Sequence, residues 1–128
     1  MRVELDSVRP RKQRTSWTCG PASLRTIFNH YGVKVSEREL VDEGSIGKDG
    51  TCIKTMRMLA RRHGFTFYSK LNATTDDLKY WLLKEIPVLV CYQDWGAPNG
   101  NNGHYAVVSG ISRTHVRIAD PSNHWHIS

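Results

Sequence analysis

Gln13-Arg14-Thr15-Ser16-Trp17-Thr18-Cys19-Gly20-Pro21-Ala22-Ser23-Leu24 carries a polar, turn-prone segment straight into a helix, with a cysteine at the junction. A helix N-terminus presents unpaired N–H groups and about half a positive charge, which favours an anion such as a thiolate. A cysteine placed there has its pKa lowered and becomes a better nucleophile at neutral pH. Gly20 leaves room for a substrate backbone, and Pro21 is free to occupy a first turn because its missing N–H would be unpaired anyway. Gln13, on the loop upstream, offers a neutral amide donor to the same place. The stretch reads as a nucleophile with its oxyanion donor, and the rest of the chain has to supply a base.

Downstream of Cys19 the helix is expected to reach Tyr31 and stop at Gly32, a natural left-handed cap. Leu24, Ile27, Phe28 and Tyr31 recur at the three- and four-residue spacing of one buried face. Upstream, residues 1–18 read as an extended or irregular arm broken by Pro10. Ser36-Glu37-Arg38-Glu39 is a capping-box pattern opening a second helix toward Glu43, closed by Gly44. Thr51 begins a third helix through Arg62 or His63, ended by Gly64, with Ile53, Met56, Leu59 and Ala60 as its apolar stripe. Phe65–Leu71 alternates weakly as a strand, and Thr74 or Thr75 caps a fourth helix with Leu78, Trp81 and Leu82 facing inward.

After Pro87, Val88-Leu89-Val90-Cys91-Tyr92 is a continuous apolar run of the kind found in central strands. Gln93–Gly103 is rich in glycine and asparagine and is expected to be an exposed lid-like loop. Tyr105 to Ile111 and Val116 to Ala119 complete the strands. Helices come first and mostly antiparallel strands follow, so the chain is an α+β domain spanning residues 1–128.

At 128 residues the chain is long enough to bury a core, and 39% hydrophobic with 23% charged residues puts it in the globular class. No apolar run approaches the roughly 20 residues of a membrane-spanning helix, and Met1-Arg2-Val3-Glu4-Leu5-Asp6 lacks the apolar middle of a secretion signal. A cytoplasmic location is expected. Three cysteines without a CxxC spacing argue against a disulfide framework or zinc finger. Cys52 and Cys91 lie in apolar patterns and are expected to be buried, inert thiols. The net charge of +6 includes Arg9, Arg11, Lys12 and Arg14 and the run Arg61-Arg62-His63. No nucleic-acid motif accompanies it, so these read as solvated basic faces.

A thiolate nucleophile that must deliver a proton to a leaving group wants a histidine beside it. Of six histidines, His30 and His63 lie within or at the end of helices, and His115 sits beside a turn. His124 and His126 form an HxH pair with no third ligand at suitable spacing, so no metal is expected. His104 differs, because it starts a strand directly after the glycine-rich loop. Ser112-Arg113-Thr114 is a polar turn midway between His104 and Asp120. A hairpin centred there makes the two residues cross-strand neighbours with Cβ atoms about 4.5–5.5 Å apart. The carboxylate would then fix the ring tautomer and stabilise the imidazolium. A one-residue error in register would turn Asp120 to the opposite face.

Gln13 to Leu24, Gly103-His104-Tyr105-Ala106-Val107-Val108 and Ile118-Ala119-Asp120-Pro121 resemble the three signature blocks of the bacteriocin-processing, double-glycine leader peptidases. These form cysteine peptidase family 39 of the papain-like superfamily. The resemblance covers most of the chain and implies a papain-like fold, with a central helix packed on an antiparallel sheet. It implies Cys19 as nucleophile, His104 as base, Asp120 as orienting carboxylate and Gln13 as oxyanion-hole amide. Trp17, Gly20, Gly103 and Tyr105 flank these positions as candidate substrate contacts, and Trp95 as a further groove wall.

The chain departs from the family pattern at Thr18, where Asp is often found, and by lacking the membrane spans and nucleotide motif of an exporter. It ends at Ser128, soon after the Asp-Pro turn, so a closing C-terminal segment beyond it, or fusion with other domains, is expected to be compatible with the pattern.

The expected activity is therefore hydrolysis of a peptide bond in a peptide or protein substrate, with no cofactor and no nucleic acid. Two rivals keep the fold. One is an acyltransferase or transpeptidase, and the other a non-catalytic module that holds a peptide in its cleft. A third, a basic nucleic-acid-binding domain, predicts affinity that falls steeply with salt.

Overall fold

The computed structural model describes residues 2–93, 103–122 and 124–127. Its elements in chain order are β1 (Val3–Glu4), α1 (Cys19–His30), α2 (Glu37–Gly44), α3 (Ile53–Arg62), α4 (Thr75–Leu83), β2 (Val88–Gln93), β3 (Gly103–Ile111), β4 (Val116–Asp120) and β5 (His124–Ile127). The α+β order expected from sequence is therefore present. Ser36 caps α2 by accepting the Glu39 N–H, and Thr74 with Asp77 closes a reciprocal capping box on α4. Gly32 and Gly64 follow α1 and α3 with φ of +81° and +89°, the left-handed turn that a side chain resists.

All five strands lie in one antiparallel sheet ordered β1-β3-β4-β5. The long strand β3 has β4 along one edge, while β2 and β1 share the other, at Gly103–Val108 and Gly110–Ile111 respectively. The two-residue β1 falls within the arm that the sequence reads as extended or irregular. Gly110 is required there, since a Cβ would sit 2.8 Å from the Val3 carbonyl oxygen.

The hairpin of β3 and β4 has a different register from the one centred on Ser112. Ile111 faces Val116 and Gly110 faces Arg117; then, past a bulge at Ser109, Val108 faces Ile118 and Val107 faces Ala119. Continuing one step sets Asp120 across from Ala106, so His104 is its diagonal neighbour on the same face. A bulge adds one unpaired residue and shifts the strand by one. Without it, the turn's own register would set Asp120 opposite Val107, on the face away from His104. The bulge is what puts the two residues on one side of the sheet.

Two clusters of buried side chains hold the layers together. Leu24, Phe28, Val35, Leu40, Met56, Leu59 and Tyr105 join α1, α2 and α3 to the sheet. Leu5, Val8, Leu82, Val107, Val108 and Ala119 join the arm and α4 to it. Ile27 packs against both, which makes α1 the shared wall.

Other expectations need correction. Residues 65–71 form no strand: Phe65 and Phe67 turn inward and Phe65 stacks on Phe28 at 4.7 Å, but no strand edge runs alongside. Ile53 is exposed because α3 starts later than Thr51, with Cys52 as its cap residue. The run Val88–Tyr92 is not a central strand, since β2 pairs with β3 alone among the described residues.

Both remaining cysteines are exposed rather than buried. Cys52 at the start of α3 lies 3.4 Å from the Thr55 hydroxyl, whose hydrogen bond is the leading reason its thiol pKa is lowered. Burial pushes the Cys91 thiol up, and the nearby charge of Cys19 adds to it.

Candidate active site

Thr18 is the cap residue of α1, but its side chain does not cap the helix. Its buried hydroxyl turns back to accept the Thr15 N–H (3.1 Å) and Thr15 hydroxyl (3.0 Å). Pro21, in third place, has no N–H to offer. The first turn thus carries no side-chain cap at its tip, the end that favours negative charge, and there the Gly20 N–H donates to the Cys19 sulfur.

The Cys19 side chain is half-buried at this tip and hydrogen-bonded to His104. Burial pushes the thiol up. The His104 hydrogen bond, the Tyr105 backbone N–H and the His104 charge outweigh it, and the thiol sits below its ordinary value. His104 is buried, and its Nε2 lies 3.0 Å from Asp120 Oδ1. That contact leaves Nδ1 as the ring atom for the thiol. Hydrogen bonding to Asp120, then to Cys19, raises the His104 pKa to about 10 against the opposing effect of burial. A thiolate beside an imidazolium is the arrangement both directions favour, and it supplies a nucleophile together with a proton carrier.

Asp120 is 3% exposed, and its Oδ1 also accepts the Ser122 N–H (2.8 Å) and Ser122 hydroxyl (2.6 Å). Ser122 escaped the sequence reading. The signal was present in Asp120-Pro121-Ser122, since an aspartate readily accepts from the backbone two residues on.

Gln13 joins the site through the backbone. Its N–H donates to the Pro121 carbonyl at 2.8 Å, tying the arm to the turn that follows Asp120. Its side-chain Nε2 donates to the Thr15 carbonyl at 2.6 Å, and Oε1 is buried. The arm is held on both sides of Gln13: Arg11 N–H donates to Thr26 Oγ1, and Arg14 N–H is shared by both oxygens of the buried Glu37 at 3.2 Å. Truncation of Glu37 to alanine is expected to lower stability by about 1.5–3 kcal/mol, the range for hydrogen bonds to charged groups. Urea unfolding checks this as a lower midpoint at unchanged slope.

The flanking residues divide. Trp17, two residues before Cys19, is half-buried. A Cβ on Gly20 would meet Thr51 Oγ1 at 3.0 Å and Met56 Sδ at 3.1 Å, so its bareness lets α1 pack on the α3 region rather than making room for a ligand on that side. Tyr105 is buried in the core beneath α1, not on a groove wall. Gly103 pairs with Gln93 at the start of β3. Residues 94–102 of the lid segment, Trp95 among them, lie outside the described residues, as do the side chains of His124 and His126, while its ends Gln93 and Gly103 belong to β2 and β3.

Elsewhere, His30 Nδ1 is 2.7 Å from Ser7 Oγ, and His63 Nε2 is 2.7 Å from Glu43 Oε2, contacts that tie helix ends to their neighbours. No group of three or more His, Cys, Asp or Glu among the described residues is placed to hold a metal ion. No described helix is long and apolar enough to cross a membrane.

The model of the Peptidase C39 family matches residues 7–127. An uncharacterised protein of Methanothermobacter thermautotrophicus is 28% identical over 110 residues, 86% of this chain and 69% of its own length. Among solved structures, the peptidase domain of Streptococcus ComA, a bifunctional ABC transporter of a quorum-sensing pathway, superposes with a TM-score of 0.77. It has 23% identity and covers 94% of this chain and 85% of its own. A C39-like peptidase from Bacillus anthracis gives 0.75 at 17% identity, over 100% and 88%. A double-glycine motif protease from an AMS/PCAT transporter, solved with its leader peptide, gives 0.62 at 16% identity, over 95% and 80%. The fold they share with this chain is papain-like.

Proposed function

Because this chain belongs to the peptidase C39 family, we propose that it is a cysteine peptidase using Cys19 as nucleophile, His104 as proton carrier and Asp120 as orienting carboxylate. The observation that carries the reading is the continuous link from the Cys19 thiol through His104 to the buried Asp120.

The Cys19 thiolate attacks the peptide carbonyl carbon, and the carbonyl oxygen takes up the negative charge. The Cys19 N–H at the uncapped helix tip and the Gln13 amide donate to that oxygen. Thr15 occupies one of the two N–H bonds of the Gln13 amide and leaves the second. His104 passes its Nδ1 proton to the departing amine, the C–N bond breaks, and a thioester remains. Water then attacks the thioester while His104 takes its proton. The acid product leaves and the thiolate–imidazolium pair is restored. Asp120 holds the ring in the orientation that both transfers need.

A peptide segment is the substrate class this reading assigns, in keeping with the leader peptide bound to the double-glycine motif protease of similar fold. Incubation with a peptide library that includes Gly-Gly sequences, read by mass spectrometry, tests it. Hydrolysis by the natural chain and none by Cys19→Ala is expected; the absence of any cleaved peptide would sink the reading. Gln13→Ala is expected to lower kcat by about 10²–10³ with KM little changed, the scale for losing one oxyanion donor. Steady-state kinetics on any cleaved peptide checks that split.

A further inference from the structure

A shallow cleft of about 410 Å³ lies between the arm, the C-terminal half of α1 and the segment leading into α2. None of the chemistry above uses it. Its charged and polar lining consists of Arg11, Arg25, Asn29, Lys34, Ser36 and Glu39. Three cations against one carboxylate leave two positive charges at neutral pH. Among the described residues no carboxylate comes within ion-pair distance of Arg11, Arg25 or Lys34. The Arg25 Nε is buried and has no hydrogen-bond partner.

Like charges gathered in one concavity raise the local potential and repel one another unless an anion neutralises them. A buried guanidinium N–H without an acceptor adds to the demand. The basic face of α3 is the useful contrast. Lys54, Arg57, Arg61 and Arg62 line it together with Met58. Arg57 rests on the Phe67 ring, and none of the four has an orphaned buried nitrogen.

We propose that the cleft binds a phosphate monoester, whose two negative charges match the surplus of the lining. The guanidiniums of Arg11 and Arg25 offer the paired N–H donors that suit phosphate oxygens, and Lys34 adds a point charge. Ser36 Oγ already accepts the Glu39 N–H, so its own O–H remains to donate. Glu39 keeps the net charge at two and disfavours more highly charged phosphates. A ligand held by Arg11 and Arg25 would add a tie between the arm and α1 to those from Ser7 to His30 and from Arg11 N–H to Thr26, the latter lying two residues before Gln13. Binding itself does not depend on the peptidase reading.

A monoester can come from a small metabolite or from a phosphorylated side chain. NMR titration of ¹⁵N-labelled full chain separates them, with glycerol 3-phosphate, a phosphoserine peptide, its unphosphorylated and glutamate-substituted forms, inorganic phosphate, and chloride at matched ionic strength. Saturable shifts are expected at the amides of 11 and 32–36 and at the Arg25 Nε–H. The ester that saturates at lower concentration identifies the source.

Arg25→Gln and Lys34→Gln should each weaken binding by at least about tenfold, while Arg61→Gln on the contrasting face changes it little. Lys34→Gln alone decides the matter if Arg25→Gln does not fold. The proposal is overturned by shifts that never saturate or match chloride, by saturation with inorganic phosphate but neither ester, by a glutamate peptide binding as tightly as the phosphopeptide, or by equal loss in Arg61→Gln.

Discussion

Cys19→Ala is expected to remove peptide hydrolysis, lowering turnover by at least about 10⁴-fold, because losing a nucleophile leaves only positioning and oxyanion stabilisation. Cys19→Ser is expected to fall nearly as far. A serine hydroxyl at the tip of α1 keeps the shape, but it does not ionise under the influences that lower the Cys19 thiol. Peptide affinity should survive in both variants, because neither alters Trp17 or Gly103, the candidate substrate contacts that remain. Turnover and binding measured on one peptide therefore separate the enzyme from a module that only holds its ligand. Residual turnover near the natural level in either variant would mean that another group attacks.

Asp120→Asn tests the second half of the site through its pH dependence. The working ion pair exists above the lowered Cys19 pKa and below that of His104, which is raised to about 10 with the Asp120 bond as the leading cause. Activity should rise with pH through the first limit and fall through the second, giving a plateau that extends well above neutrality. Asparagine keeps the shape of the side chain but removes its charge. The His104 pKa then moves down toward the ordinary imidazole value, and the alkaline limb moves with it. At pH 9 the variant should lose at least about tenfold in rate beyond its loss at pH 6, since each unit between pH and pKa is a tenfold change in the protonated fraction. Profiles that fall in parallel, with no shift of the limb, would show that Asp120 does not set the charge on His104.

Much of this arrangement was legible in the residues. The spacing of Leu24, Ile27 and Phe28 and the turn at Gly32 located α1 with Cys19 as its first residue. Capping chemistry located α2 to within a residue and the start of α4 at Thr74. The pairing of His104 with Asp120 was anticipated, but through a symmetrical hairpin that does not form. The four-residue turn sets a different register, and the Ser109 bulge corrects its parity. Nothing in Val108-Ser109-Gly110 announces a bulge until β1 is known to lie against Gly110.

Long-range pairing explains the other misses as well. Phe65 and Phe67 show the alternation of a strand without an edge to join. The run Val88–Tyr92 shows the apolar content of a central strand but has a single neighbour among the described residues, and Cys91 is exposed.

Cys52 alters how the nucleophile must be tested. It is exposed and its thiol is also lowered, by Thr55 and the backbone at the start of α3, so rapid alkylation alone does not distinguish an active-site cysteine. Dependence on His104 does. The decisive measurement is the iodoacetamide alkylation rate of each cysteine from pH 5 to 10, resolved by peptide mass spectrometry, in the natural chain and in His104→Gln. Cys19 is expected to react well below the ordinary thiol range in the natural chain and to slow by more than about tenfold near pH 7 in His104→Gln, while Cys52 reacts alike in both. A Cys19 profile unchanged by the loss of His104 would mean that His104 does not activate the thiol.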